Sequence, residues 1–295
     1  MNLAIKRTDN PREPRVYLFI VGTTKGGTST LHLWLNQHPR ISLASRKELH
    51  FFCKCPAPHL RAARDLDEYH ALLSTNAEVA GEASPCYLFY PHTPRELITT
   101  FPHARVLASL RDPVERFWSH YLMNEIYRPT GLAPEAVLEK CLSQGRTNAL
   151  EDLFGVGLYR EQVERYAAIF GENFRVVFLE EMEEDPRSTL DSIVEFLRLE
   201  PFTLSRTVRD KQYTEPRGRV GHLLLRTPSI RKVGVWVLPP PARRVLRTRI
   251  LGRPTKPPMP AGLKMRLQEL YYDDCRDLAN LLGRDIPWKW VRSGA

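Results

Sequence analysis

Residues 16–36 read VYLFIVGTTKGGTSTLHLWLN, and the fold can be read outward from them. Val16, Tyr17, Leu18, Phe19, Ile20 and Val21 make an apolar run with no polar break, which suits a strand buried on both faces of a parallel sheet. A glycine-rich turn follows. Gly22, Gly26 and Gly27 allow close approach of the backbone to a ligand, and Thr28, Ser29 and Thr30 supply hydroxyls and a helix start ahead of Leu31, Leu33, Trp34 and Leu35. A helix start offers amides without intrahelical partners and a positive dipole end, so with Lys25 the turn is a cradle for an anion such as phosphate. The nucleotide-triphosphate loop G-x-x-x-x-G-K-[ST] is absent in its strict form, because here the lysine precedes the second and third glycines. A plain strand-to-helix connection is the competing reading of the turn taken alone.

Downstream the same alternation continues. Residues 41–44 read as a short strand, 79–83 as a strand running into a turn, 104–110 as a buried strand and 174–179 as another. Helices are expected at 93–100, 114–127, 161–170, 189–197 and 263–282, with a polar helical pattern over 56–74. The fold class that follows is α/β, a P-loop-like parallel sheet flanked by helices on both faces. Arg111 closes the strand at 104–110, Pro113 suits the first turn of the next helix, and Ser119 lies two turns into it. Both then face the carboxyl edge of the sheet, where ligands of open α/β folds sit. Residues 46–52, RKELHFF, put a base, an acid and an imidazole beside two aromatic rings, a composition that taken alone reads as a surface ion cluster followed by core phenylalanine.

A chain of 295 residues can bury a full core, and one domain is expected, with residues 1–15 as a loose arm. The five cysteines Cys53, Cys55, Cys86, Cys141 and Cys275 show no zinc-ligand spacing, and the histidines show no metal pattern, so reduced structural thiols and no metal are expected. No signal peptide and no apolar run of bilayer length is apparent, which gives a cytoplasmic expectation. The net charge of +9 favours an anionic ligand. It is concentrated: residues 217–256 hold eleven Lys or Arg and no Asp or Glu. This basic, Pro-rich tract, 203–262 in all, reads either as a lid over the acceptor side of the site or as a solvated insertion.

Four stretches together resemble the sulfotransferases that use 3′-phosphoadenosine-5′-phosphosulfate, of the branch holding bacterial enzymes and heparan-sulfate-type domains. They are Lys25-Gly26-Gly27-Thr28, the KELHFF run at 47–52, EASPCYL at 82–88, and Arg111-Asp112-Pro113 with Ser119-His120-Tyr121. The resemblance covers most of 16–200 and the ending GRDIPW at 283–288. It implies that Glu48 is the general base, that Lys25 neutralises the bridging oxygen of the leaving phosphate, and that His50 assists by holding the sulfonate or orienting the acceptor, packing against Phe51 being the alternative for His50. It implies that Gly26, Gly27, Thr28, Ser29 and Thr30 hold the 5′-phosphate and that Arg111 and Ser119 hold the 3′-phosphate. Arg217, Gly218 and Arg219 take the place of the family's basic loop over the nucleotide. Glycosaminoglycan-acting relatives often carry lysine where this chain has Ala83, which points away from a polyanionic sugar acceptor. The donor would be 3′-phosphoadenosine-5′-phosphosulfate, the product 3′-phosphoadenosine-5′-phosphate, and the acceptor a hydroxyl, less readily an amine, of a carbohydrate, lipid or secondary metabolite. No nucleic-acid partner is expected, since no recognition motif accompanies the basic tract. Two rivals remain on sequence: a P-loop kinase, and a non-catalytic protein binding nucleic acid or anionic membrane through 217–256.

Overall fold

The computed structural model describes residues 14–53, 61–73, 76–145, 148–205, 215–216, 251–252 and 256–292. By backbone contacts the chain divides into two interleaved units. The first takes Met1–Thr23, Thr28–Leu110 and Glu164–Val208, and the second Thr24–Gly27, Arg111–Val163 and Arg209–Ala295. The strands are β1 (Val16–Gly22), β2 (Ile41–Leu43), β3 (Val79–Ala83), β4 (Arg105–Leu110) and β5 (Phe174–Phe178). The helices are α1 (Thr28–Leu35), α2 (Leu66–Leu73), α3 (Thr93–Thr100), α4 (Pro113–Tyr127), α5 (Pro134–Gln144), α6 (Tyr159–Phe170), α7 (Leu179–Glu184), α8 (Pro186–Phe196), α9 (Ala261–Leu282) and α10 (Lys289–Arg292).

The five strands lie in the first unit in the order β2-β3-β1-β4-β5, all parallel, so the opening stretch supplies the central strand. Its period-two alternation feeds two cores. Leu18 and Ile20 join Leu31, Trp34 and Leu35 of α1 and Leu190, Ile193 and Val194 of α8 on one face. Phe19 turns to the other, where its ring centroid lies 5.2 Å from Phe101, at the end of α3, and 6.4 Å from Phe52. Tyr69 of α2 packs into that layer. Helices therefore cover both faces, as the unbroken apolar strands require. Each fully buried Leu or Ile contributes about 1.5–3 kcal/mol.

The register pairs Ile20 with Ala83 and Gly22 with Ser109, so the central strands end at one edge. Gly22 owes its identity to the sheet. It has a φ of +142°, and a Cβ there would lie 2.2 Å from the Ser109 carbonyl oxygen, so what it accommodates is β4, where the sequence suggested a ligand.

In the second unit Asp112 caps α4, accepting from the amides of Val114 and Glu115 at 2.9 and 3.2 Å, with Pro113 in the first turn as expected. Trp290 of α10 donates to the same carboxylate at 2.8 Å. Asp274 of α9 accepts the Tyr159 amide at 2.7 Å, and the Tyr271 hydroxyl donates to the Phe154 carbonyl at 2.8 Å. α9 ends on Gly283 at a φ of +61°, a left-handed cap. Residues 217–250 lie outside the described residues, and with them Arg217, Gly218, Arg219 and most of the expected lid. Of that tract the structure gives a two-stranded antiparallel pair, β6 (Glu215–Pro216) with β7 (Leu251–Gly252).

Arg116 of α4 is fully buried, and its Nη1 donates to His120 Nδ1 at 3.3 Å. Its Nη2 donates to the Leu153 carbonyl. Burial, then the charges of Arg116 and Lys25, hold His120 well below the usual histidine pKa, so its ring is neutral in the native state. The unfolded chain takes up a proton near pH 6.5 that the native chain refuses. Stability must therefore fall as pH drops below that value, with a slope of up to about 1.4 kcal/mol per pH unit from this one site. His120→Asn, which keeps an acceptor for Arg116, is expected to flatten that part of the curve; urea midpoints measured between about pH 5.5 and 7.5 provide the check.

Candidate active site

In the first unit the chemistry gathers on the loop after β2. Leu49 and Phe52 are buried and pin the loop, leaving Lys47, Glu48 and His50 half-buried beside them. The Glu48 carboxylate is gripped from two sides. Lys47 Nζ donates to Oε1 at 3.1 Å, and His50 Nε2 lies 3.1 Å from Oε2. Lys47 Nζ also donates to the Thr28 hydroxyl at 3.3 Å, so this ammonium ties the carboxylate to the first residue of α1. Burial pulls the His50 pKa down, but hydrogen bonding to Cys53 and Glu48 outweighs it and pushes the value up to about 10. The ring is then a cation against an acid, and packing alone does not describe it.

A buried carboxylate holds the loop in place. Glu82 of β3 is 1% exposed and accepts from Tyr69, Tyr87 and Ser84 at 2.8, 2.6 and 2.5 Å. Ser84 Oγ in turn accepts the His50 amide at 3.1 Å, and the Tyr87 hydroxyl accepts the amides of Phe51 and Phe52 at 2.9 and 3.2 Å. These bonds fix His50 at a φ of +52°, a conformation rare outside glycine that persists only when its surroundings impose it. Burial raises the Glu82 pKa, against the three hydroxyl donors that lower it. The EASPCYL run thus earns its place beside KELHFF: Glu82, Ser84 and Tyr87 are the frame on which Glu48 and His50 are mounted.

In the second unit the turn Thr24–Gly27 carries Lys25 at a φ of +74° and Gly27 at +94°. Left-handed residues in such a turn bring successive amides towards one concave side, the form of an anion nest. The Lys25 carbonyl accepts from Arg111 Nη1 at 3.4 Å, so the turn and this guanidinium are neighbours. The Arg111 backbone is anchored by the Tyr159 hydroxyl, which donates to its carbonyl at 2.8 Å. Glu115 Oε2 lies 3.9 Å from Arg111 Nη2 and accepts from Lys256 Nζ at 2.7 Å. Two cations therefore share one carboxylate, and an arriving phosphate would meet Arg111 and Lys256 together. Ser119 sits on α4 two turns beyond Arg111 and is half-buried. Thr28, Ser29 and Thr30 form the first turn of α1 and are 4%, 7% and 6% exposed.

The expected groups thus fall into two sets: Thr28, Glu48 and His50 in one unit, Lys25 and Arg111 in the other, the sets being joined in the chain at the Gly27–Thr28 peptide. Lys47 and Lys256 were not singled out from sequence. Lys47 precedes Glu48 in the KELHFF run, which was signal enough to ask about it, whereas Lys256 is one of eleven cations in a tract with no internal landmark.

A model of the sulfotransferase domain matches residues 16–219. A sulfotransferase from Alicyclobacillus acidocaldarius shares the structure with a TM-score of 0.71 and 27% identity, over 94% of this chain and 98% of that one. The human heparan sulfate glucosamine 3-O-sulfotransferase 6 is 26% identical over 91% of this chain and 72% of its own length. The membrane-associated sulfotransferase kil1 of Dictyostelium discoideum is 38% identical over 103 residues, 35% of this chain but only 21% of that protein. Among the described residues no helix is long and apolar enough to cross a membrane. The domain match extends over more than half of the sequence and begins at the first residue of β1, and the chain belongs to the sulfotransferase family.

Proposed function

We propose that this protein transfers a sulfuryl group from 3′-phosphoadenosine-5′-phosphosulfate to an acceptor hydroxyl by in-line displacement, with Glu48 as general base. The observation that carries the reading is the Glu48 carboxylate held by Lys47 and His50 on a loop tied to Thr28, the residue that begins the helix after the glycine turn. In the reaction the acceptor oxygen attacks sulfur while its proton passes to Glu48, and the S–O bond to the 5′-phosphate breaks. Charge builds on the departing phosphate, and Lys25 with the amides of the turn stabilises it. His50 holds Glu48 from the side opposite Lys47 and so orients it. Arg111, Ser119 and Lys256 take the 3′-phosphate, the guanidinium in two parallel bonds.

The acceptor is proposed as a sugar, lipid or small-metabolite hydroxyl. Likeness to a glucosamine 3-O-sulfotransferase supports a saccharide, while Ala83 removes the lysine that glycosaminoglycan-acting relatives often carry there.

Calorimetry with two nucleotides tests the donor. 3′-Phosphoadenosine-5′-phosphate is expected to bind at least ~100-fold tighter than AMP, the worth of two charge-assisted bonds. Arg111→Ala is expected to abolish most of that preference without weakening AMP. Equal affinities for the two nucleotides in the unaltered protein would remove the basis of the reading.

A further inference from the structure

The expectation of no metal-ligand grouping rests on spacing along the chain, and the fold brings together what spacing keeps apart. Cys86 comes from the turn after β3, 36 residues beyond His50, yet its Sγ lies 3.1 Å from His50 Nδ1. Cys53 Sγ lies 3.6 Å from the same nitrogen, and all three atoms fall within 4.8 Å of one another. Neither cysteine is in a disulfide, and they are 5% and 8% exposed. Arms of about 2.0–2.3 Å from a tetrahedral zinc place ligand atoms roughly 3.5–3.8 Å apart, which is the scale of this triangle.

We propose that His50, Cys53 and Cys86 form a binding site for a thiophilic divalent ion of the zinc class. Two thiolates balance the charge of the ion and the Nδ1 lone pair of His50 supplies the third bond; both thiol protons and the Nδ1 proton of the imidazolium pass to solvent as the ion binds. The outer partner is already in place: Nε2 of the same ring faces Glu48 Oε2 at 3.1 Å, the carboxylate–histidine arrangement that sets the tautomer and orientation of a metal-bound imidazole. Cys53 also lines an open cleft of about 610 Å³ with Phe51, Phe52, Arg61 and His92, which gives an ion a way in. The fourth position falls to solvent, as in sites that keep one position open.

The test is optical, so it stands apart from any assay of transfer. Full-length protein, reduced with a phosphine and desalted without oxygen, is titrated with Co²⁺ and then with Zn²⁺. The expected result is one equivalent of cobalt with thiolate-to-cobalt charge-transfer absorption and tetrahedral ligand-field bands, all displaced by zinc. Cys53→Ala and Cys86→Ala should each weaken cobalt at least ~10-fold, Glu48→Gln about tenfold through the imidazole, and Cys141→Ala not at all. Should an alanine variant fail to fold, the unaltered protein decides alone. Absence of a thiolate band in it overturns the site, as does a band that persists undiminished in the Cys53/Cys86 double variant. Failure to bind cobalt together with ready formation of a Cys53–Cys86 disulfide in air also overturns it and makes the pair a redox element.

Discussion

Glu48→Gln is expected to lower transfer to the acceptor at least ~100-fold while affinity for 3′-phosphoadenosine-5′-phosphate stays within about twofold. The amide keeps the volume of the carboxylate and an oxygen for Lys47 or His50, but it cannot take the acceptor proton. The glutamine oxygen keeps an acceptor for partners that are 14% and 12% exposed, so the variant is expected to stay folded, and its thermal unfolding beside the parent is the control. Loss of rate with stability and nucleotide affinity intact separates chemistry from folding. Turnover close to that of the parent would move the base elsewhere.

Lys25→Met is the second large effect, expected to reduce turnover by roughly 10²–10³, the cost of losing one preorganised donor where charge develops. Nucleotide affinity should weaken by less than about tenfold, since the backbone of the turn, Arg111 and Lys256 remain. Position 25 already holds a side-chain-bearing residue at a φ of +74°, so methionine adds no strain that lysine did not carry, and the carbonyl that accepts from Arg111 is untouched. The experiment therefore removes the ammonium and little else. Single-turnover rates with labelled donor supply the measurement; a variant that turns over at the parent rate would leave stabilisation of the leaving phosphate to the turn's amides alone.

How much of this was legible beforehand follows from the range of each interaction. The strands β1, β3, β4 and β5, the helices α1, α4 and α9 and the glycine turn were readable because hydrophobic period, caps and turn residues act within a few positions of one another. Pro113 announces the start of α4 in this way; Asp112 before it accepts the amides of Val114 and Glu115, and Asp185 accepts that of Ser188 at the start of α8. Gly22 was read as allowing close approach of a ligand, whereas the contact that excludes a side chain there is with Ser109 on another strand.

What escaped was polar and distant. Glu82 supports His50 through Ser84, 34 residues from it along the chain, and supports Phe51 and Phe52 through Tyr87. Lys256 meets Glu115 across 141 positions. Cys53 and Cys86 meet one imidazole only because the turn after β3 lies under the loop after β2. From its sequence alone this protein declares unbroken apolar strands, a parallel sheet and an anion cradle at the head of α1, since those depend on side chains a few bonds apart. The pairing of β2 with β3, and with it the grip on Glu48 and the His50–Cys53–Cys86 cluster, was decided only on folding. A charge or a thiol carries no mark in the chain of which distant partner will satisfy it; the packing of apolar strands brings the two together, and burial then makes that choice binding.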